Sequence, residues 1–65
     1  MTAEIVLVVS DSMDGLYVNG QLLDQSYEIP IAYTLKQLEG FTIESFESRY
    51  IPEEIEEYPN LIENL

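Results

Sequence analysis

The dipeptide Asn19-Gly20, set between Leu16-Tyr17-Val18 and Gln21-Leu22-Leu23, constrains what this chain can fold into more than any other feature of its sequence. A two-residue hairpin loop that matches strand twist needs positive φ at both central positions, which Asn-Gly supplies at low cost. The segment is read as a hairpin with Val18 opposite Gln21, Tyr17 opposite Leu22 and Leu16 opposite Leu23. Side-chain alternation then puts Leu16, Val18 and Leu23 on one face, taken as the core face, and Tyr17 and Leu22 on the other.

The remaining elements are arranged around that hairpin. Glu4 to Val9 is β-branched and apolar without alternation, as in a central strand or one covered on both faces. Ser10 to Gly15 is a cluster of turn formers, in which Gly15 can take positive φ. Pro30 suits the first position of a helix, Ile31, Leu35 and Leu38 recur at helical spacing, and Gly40 supplies a stop, giving a helix of about ten residues. Lys36, Gln37 and Glu39 form its outer face. From Phe41 to Phe46 the pattern alternates, so that Phe41 and Ile43 point one way and Thr42, Glu44 and Phe46 the other, in a fourth strand that extends towards Tyr50. Pro52 is read as the start of a second helix, with Glu53 and Glu54 in its first turn and Pro59 at its end. Ile51, Ile55, Tyr58 and Ile62 form an apolar stripe along that segment, and Glu53, Glu54, Glu56 and Glu57 cover the rest. The order β-β-β-α-β-α predicts an α+β fold: residues 1–65 as a single domain, with a small, mostly antiparallel sheet covered on one face by short helices.

Size and charge narrow the function. A chain of 65 residues buries barely enough surface to offset its entropy, but 46% of its residues are apolar, too many for a disordered acidic tail. It has no cysteine, which fits a reducing compartment and hence the cytoplasm. The apolar run Ile5 to Val9 is too short to span a bilayer, so no membrane role is expected. Thirteen acidic residues against Lys36 and Arg49 give a net charge of -11. That field opposes direct contact with nucleic acid or anionic lipid and favours a cationic protein surface. It also serves simply to keep a small protein in solution.

With neither histidine nor cysteine, the usual general base, nitrogen and sulfur metal ligands and thiolate nucleophile are missing. Carboxylate pairs need a cleft that a chain this short can hardly enclose. No catalytic residue, metal site or cofactor is therefore expected. Asp11-Ser12-Met13-Asp14-Gly15 lacks the oxygen spacing and closing Glu of a calcium loop and reads as a plain turn.

Gly15-Leu16-Tyr17-Val18-Asn19-Gly20-Gln21-Leu22, followed by a short leucine-bearing helix and an acidic C-terminal segment, resembles small uncharacterised acidic proteins encoded by bacteriophages. That resemblance implies no activity and no site residues, only a setting in which small acidic proteins bind and block a host protein.

The expected function is a non-catalytic protein-binding module, an inhibitor or modulator of a cationic protein such as a nucleic-acid-binding one. Glu53, Glu54, Glu56 and Glu57 would steer the encounter, and Tyr50 and Tyr58 would anchor it. The alternatives are a structural or assembly protein acting through homo-oligomerisation, with a homodimer as the simplest form, and an oligomer that sequesters a small ligand.

Overall fold

A computed structural model describes residues 1–65, the side chain of Ile31 excepted. The chain forms strands β1 (Thr2–Ser10), β2 (Asp14–Val18) and β3 (Gln21–Ser26), helix α1 (Ile31–Gln37) and strand β4 (Thr42–Ile51), then a 3-10 turn at Ile62–Asn64. One sheet holds all four strands in the order β3-β2-β1-β4. The unbroken apolar run of β1 follows from its central place, where Ile5 and Val8 are both fully buried but belong to different clusters. Ala3 and Ile5 pack with Leu16, Ile29 and Leu38 on the helix side, and Val8 packs with Tyr17 and Tyr58 on the other.

This arrangement overturns the predicted α+β fold of order β-β-β-α-β-α with helices on one face. The sheet is mixed, because β1 runs parallel to β4 and antiparallel to β2. The connection from Tyr27 to Phe41, which contains α1, is long enough to cross two strands and return β4 in the direction of β1. The domain is mostly sheet, with α1 on one face and an irregular C-terminal segment on the other.

The predicted second helix does not form: residues 52–60 take an irregular path. Pro59 disfavours helical backbone at Tyr58, and the few residues between the two prolines are too short a run to repay helix nucleation. Their polar groups bond instead to the turn between β1 and β2 and to β3. The Asp11 N–H donates to the Glu53 carbonyl at 2.9 Å, the Ser12 hydroxyl to the Ile55 carbonyl at 2.7 Å, and the Tyr58 N–H to Gln25 Oε1 at 2.9 Å. Ile51, Ile55, Tyr58 and Ile62 still pack into one apolar cluster, but from irregular backbone that ends in the 3-10 turn.

Asn19 and Gly20 have φ of 52° and 81°, as the hairpin requires. Val18 pairs with Gln21 and Tyr17 with Leu22, but Leu16 pairs with Asp24. The extra residue is Leu23, and this bulge removes it from the expected core face and leaves it 45% exposed. Leu38, the residue that follows α1, packs on the sheet, while Leu35 within the helix stays exposed; the Ile31 side chain of the predicted stripe lies outside the described residues. Pro30 is the residue before the helix, and Gly40 ends the turn after it with φ of 92°.

Gly15 lies inside β2 and not at a positive-φ turn. It is small because Tyr58 lies on it: a Cβ at this position would sit 2.7 Å from Tyr58 Cδ1. The Tyr58 hydroxyl donates to the Met13 carbonyl, the Tyr17 hydroxyl to the Pro59 carbonyl at 2.6 Å, and the two rings meet edge to face at 6.3 Å. We expect Gly15→Ala to lower unfolding free energy by about 1–3 kcal/mol through overpacking. The same change should be nearly neutral in a Tyr58→Ala background, where the obstructing ring is gone. Urea denaturation of the four proteins checks both statements.

Candidate functional site

The two edges of the sheet are treated differently. Along β3 the C-terminal segment acts as a short extra strand: the Leu22 N–H donates to the Asn60 carbonyl at 2.8 Å and the Ile62 N–H to the Gly20 carbonyl at 2.9 Å, around a Gln21–Leu61 bridge. Along β4, among the described residues, nothing pairs with the outer side of the strand. On that side the N–H and C=O groups of alternate residues along this ten-residue strand face solvent unpaired.

The side chains of this open strand are ordered by a bulge. Ala3 pairs with Ile43 and Glu4 with Ser45, so Glu44 is the extra residue. Ile43 and Phe46, read from alternation as pointing to opposite faces, are thereby brought to the same face, where both line an apolar cleft of about 100 Å³ with Leu35, Leu38 and Ile5. Sequence reasoning missed this cleft, although one signal was present. A three-residue step between apolar positions within a strand, Ile43 to Phe46, marks an inserted residue. Phe46 is 57% exposed. The register with β1 places Phe46, Ser48 and Tyr50 on the helix side, and Glu47, Arg49 and Ile51 on the other. Arg49 Nε donates to Glu47 Oε2 at 2.8 Å, along the strand.

The residues expected to contact a partner are divided by the fold. Tyr50 lies on the open strand, 62% exposed, and its hydroxyl donates to the Asp11 carboxylate. That hydrogen bond, then loss of hydration, then the Asp11 charge raise the Tyr50 pKa. Tyr58 is only 3% exposed. Its ring is inside the domain, so it positions the segment and is not presented as an anchor. Glu53, Glu54, Glu56 and Glu57 are all exposed, on either side of half-buried Ile55, and form an acidic border that follows directly from the end of β4.

The Asp11 to Gly15 region contains a turn held by the Ser10 hydroxyl, which donates to the Met13 carbonyl at 2.6 Å and accepts from the Met13 N–H at 3.1 Å. Among the described residues, no three acidic side chains converge as metal ligands would, and no helix is long and apolar enough to cross a membrane. No family model, curated protein or solved structure matches the chain.

The acidic segment depends for its position on Tyr17 and Tyr58. Burial, followed by the neighbouring Tyr58, pushes the Tyr17 phenol above its ordinary pKa of about 10. The folded state thus holds the Tyr17 proton more tightly than the unfolded state does. Its contribution to stability is complete below the unfolded pKa and is lost as pH rises from there through the folded pKa. We expect stability to fall above about pH 10, and Tyr17→Phe to flatten the Tyr17 part of that fall while removing the hydrogen bond to Pro59 at neutral pH. Urea midpoints measured between neutral pH and the alkaline limit for both proteins check this.

Proposed function

We propose that the protein is a non-catalytic protein-binding module whose working surface is the open edge of β4 with its adjoining apolar cleft. One observation carries this reading: the chain caps the edge at β3 with its own C-terminal segment and leaves ten residues of β4 uncapped beside exposed Phe46 and Ile43. Strand addition to such an edge gives affinity through main-chain hydrogen bonds and selectivity through alternate side chains, for which the cleft is a ready pocket. The absence of histidine and cysteine supports the non-catalytic part, and the absence of cysteine also supports a cytoplasmic placement.

A second reading is supported by the exposed carboxylates of Glu53, Glu54, Glu56 and Glu57. In it the acidic segment docks on a cationic protein as an inhibitor or modulator, the setting suggested by the likeness of the hairpin to those of small acidic phage proteins. The two surfaces separate by mutation. Immobilised wild-type chain, a Phe46→Asp variant and a variant with those four Glu changed to Gln are exposed to the same cell lysate and washed at rising salt. On the leading reading, retained proteins are lost from Phe46→Asp and kept by the four-Gln variant, with little dependence on salt. On the second, they are lost from the four-Gln variant and released by salt.

A further inference from the structure

We infer that the occupant of the β4 edge is a second copy of the same edge, joined antiparallel about a two-fold axis at Ser48; this rests on the strand-edge reading of the preceding subsection. The argument is one of charge complementarity within a delimited strand. The bulge at Glu44 interrupts pairing at one end and Pro52, which has no N–H, at the other, leaving residues 45–51 as the regular stretch. In a chain of net charge -11, this stretch is neutral, since it holds one Glu and one of only two cationic residues.

Two-fold pairing requires that opposed residues share a face, so the axis must pass through a residue and not between two. About Glu47, two carboxylates would face each other; about Arg49, two guanidinium groups would. About Phe46, the charges would face Ser45 and Ile43 of the other copy. Only about Ser48 does each Glu47 face an Arg49 and each Arg49 a Glu47, while on the helix side Phe46 faces Tyr50 and Ser48 faces Ser48. Opposite charges and aromatic pairs directly opposed both stabilise an antiparallel pair, and like charges destabilise it. The Glu47–Arg49 ion pair seen along the strand shows that these groups already lie on one face within reach. Joined this way, the sheets continue as one eight-stranded sheet and the two apolar clefts approach each other across the axis.

The test uses the 65-residue chain at about 0.15 M salt, where a Debye length of about 8 Å confines the mutual repulsion of two acidic bodies. Sedimentation of the wild type should show a concentration-dependent monomer–dimer equilibrium. Glu47→Arg sets two arginines against two, and Arg49→Glu sets four carboxylates together, so each variant alone should be monomeric. Mixed in equal amounts they should form a heterodimer, since every reversed charge then faces its opposite. Ser48→Cys gives the cysteine-free chain one thiol on the axis, at a Cα separation of about 4.5–5.5 Å that a disulfide accepts. It should form a covalent dimer on mild oxidation while Thr42→Cys, beyond the paired stretch, lags at least tenfold.

A dimer that survives both single reversals, or equal cross-linking at positions 42 and 48, would overturn the Ser48 register. A wild type that stays monomeric at every accessible concentration would overturn self-pairing altogether. In that event, loss of retained lysate proteins from Phe46→Asp still upholds the strand-edge reading with a different occupant. If Phe46→Asp changes neither association nor retention, the strand-edge reading fails with it. Circular dichroism of each variant separates these outcomes from loss of fold.

Discussion

The packing of the Tyr58 ring on Gly15 is the contact on which the rest of the molecule depends. A four-stranded sheet with one short helix covers only one of its faces, and the other would leave Val6, Val8, Tyr17 and Leu22 in water. The C-terminal segment covers that second face without helix or long strand, so it cannot be held by a repeating ladder of its own. It is held by one large ring seated where a side chain is missing, and by hydroxyls that satisfy carbonyls at both ends of the contact. Among the described residues no buried side-chain polar atom lacks a partner. A buried aromatic with its polar tip bonded contributes apolar area with no unsatisfied-group penalty. For a chain this short, with no cysteine to form a disulfide, that second cluster is needed for stability.

Much of the fold was legible in the sequence wherever the determinant was local. Asn19-Gly20 dictates its own turn because few residue pairs adopt those dihedrals as cheaply. The apolar run of β1 marks a strand covered on both faces. The sequence was misleading where long-range partners decide between local alternatives. Ile51, Ile55, Tyr58 and Ile62 fit a helical stripe, but the same residues reach one cluster from irregular backbone once Asp11, Ser12 and Gln25 offer hydrogen bonds from other parts of the chain. Of the candidate site, the acidic border was legible and the open edge was not. Which strand lies outermost is a property of pairing between segments far apart in the chain, and Tyr58 could not be assigned to core or surface until the segment's path was known.

The two bulges have opposite effects, and both shape the surface. At Leu23 the extra residue moves a leucine out of the core on the side where the C-terminal segment caps the sheet. At Glu44 the extra residue places Ile43 and Phe46 together over α1 and builds the apolar cleft. A shift of one residue in register reverses the face of everything beyond it, so a single inserted residue decides whether β4 shows an alternating or a segregated surface. Natural edge strands are usually blunted by charge, proline or coverage. Here the bulge and Pro52 mark the ends of the exposed stretch but do not cover it.

Net charge sets the conditions under which such an edge can be used. Two bodies of charge -11 held about 25 Å apart in water would repel by about 20 kcal/mol without screening. At an ionic strength of about 0.15 M the same repulsion falls to about 1 kcal/mol. Main-chain bonds along a seven-residue edge are opposed prohibitively in the first case and hardly at all in the second. The acid therefore acts over distance and the edge acts on contact. Sparse contacts with other acidic bodies are suppressed, cationic bodies are drawn in, and an association that depends on the edge must have its charges matched where the two backbones meet. The placement of Arg49 on the open strand, opposite in sign to almost every other charged group in the chain, gives the edge a local charge balance that the rest of the molecule lacks.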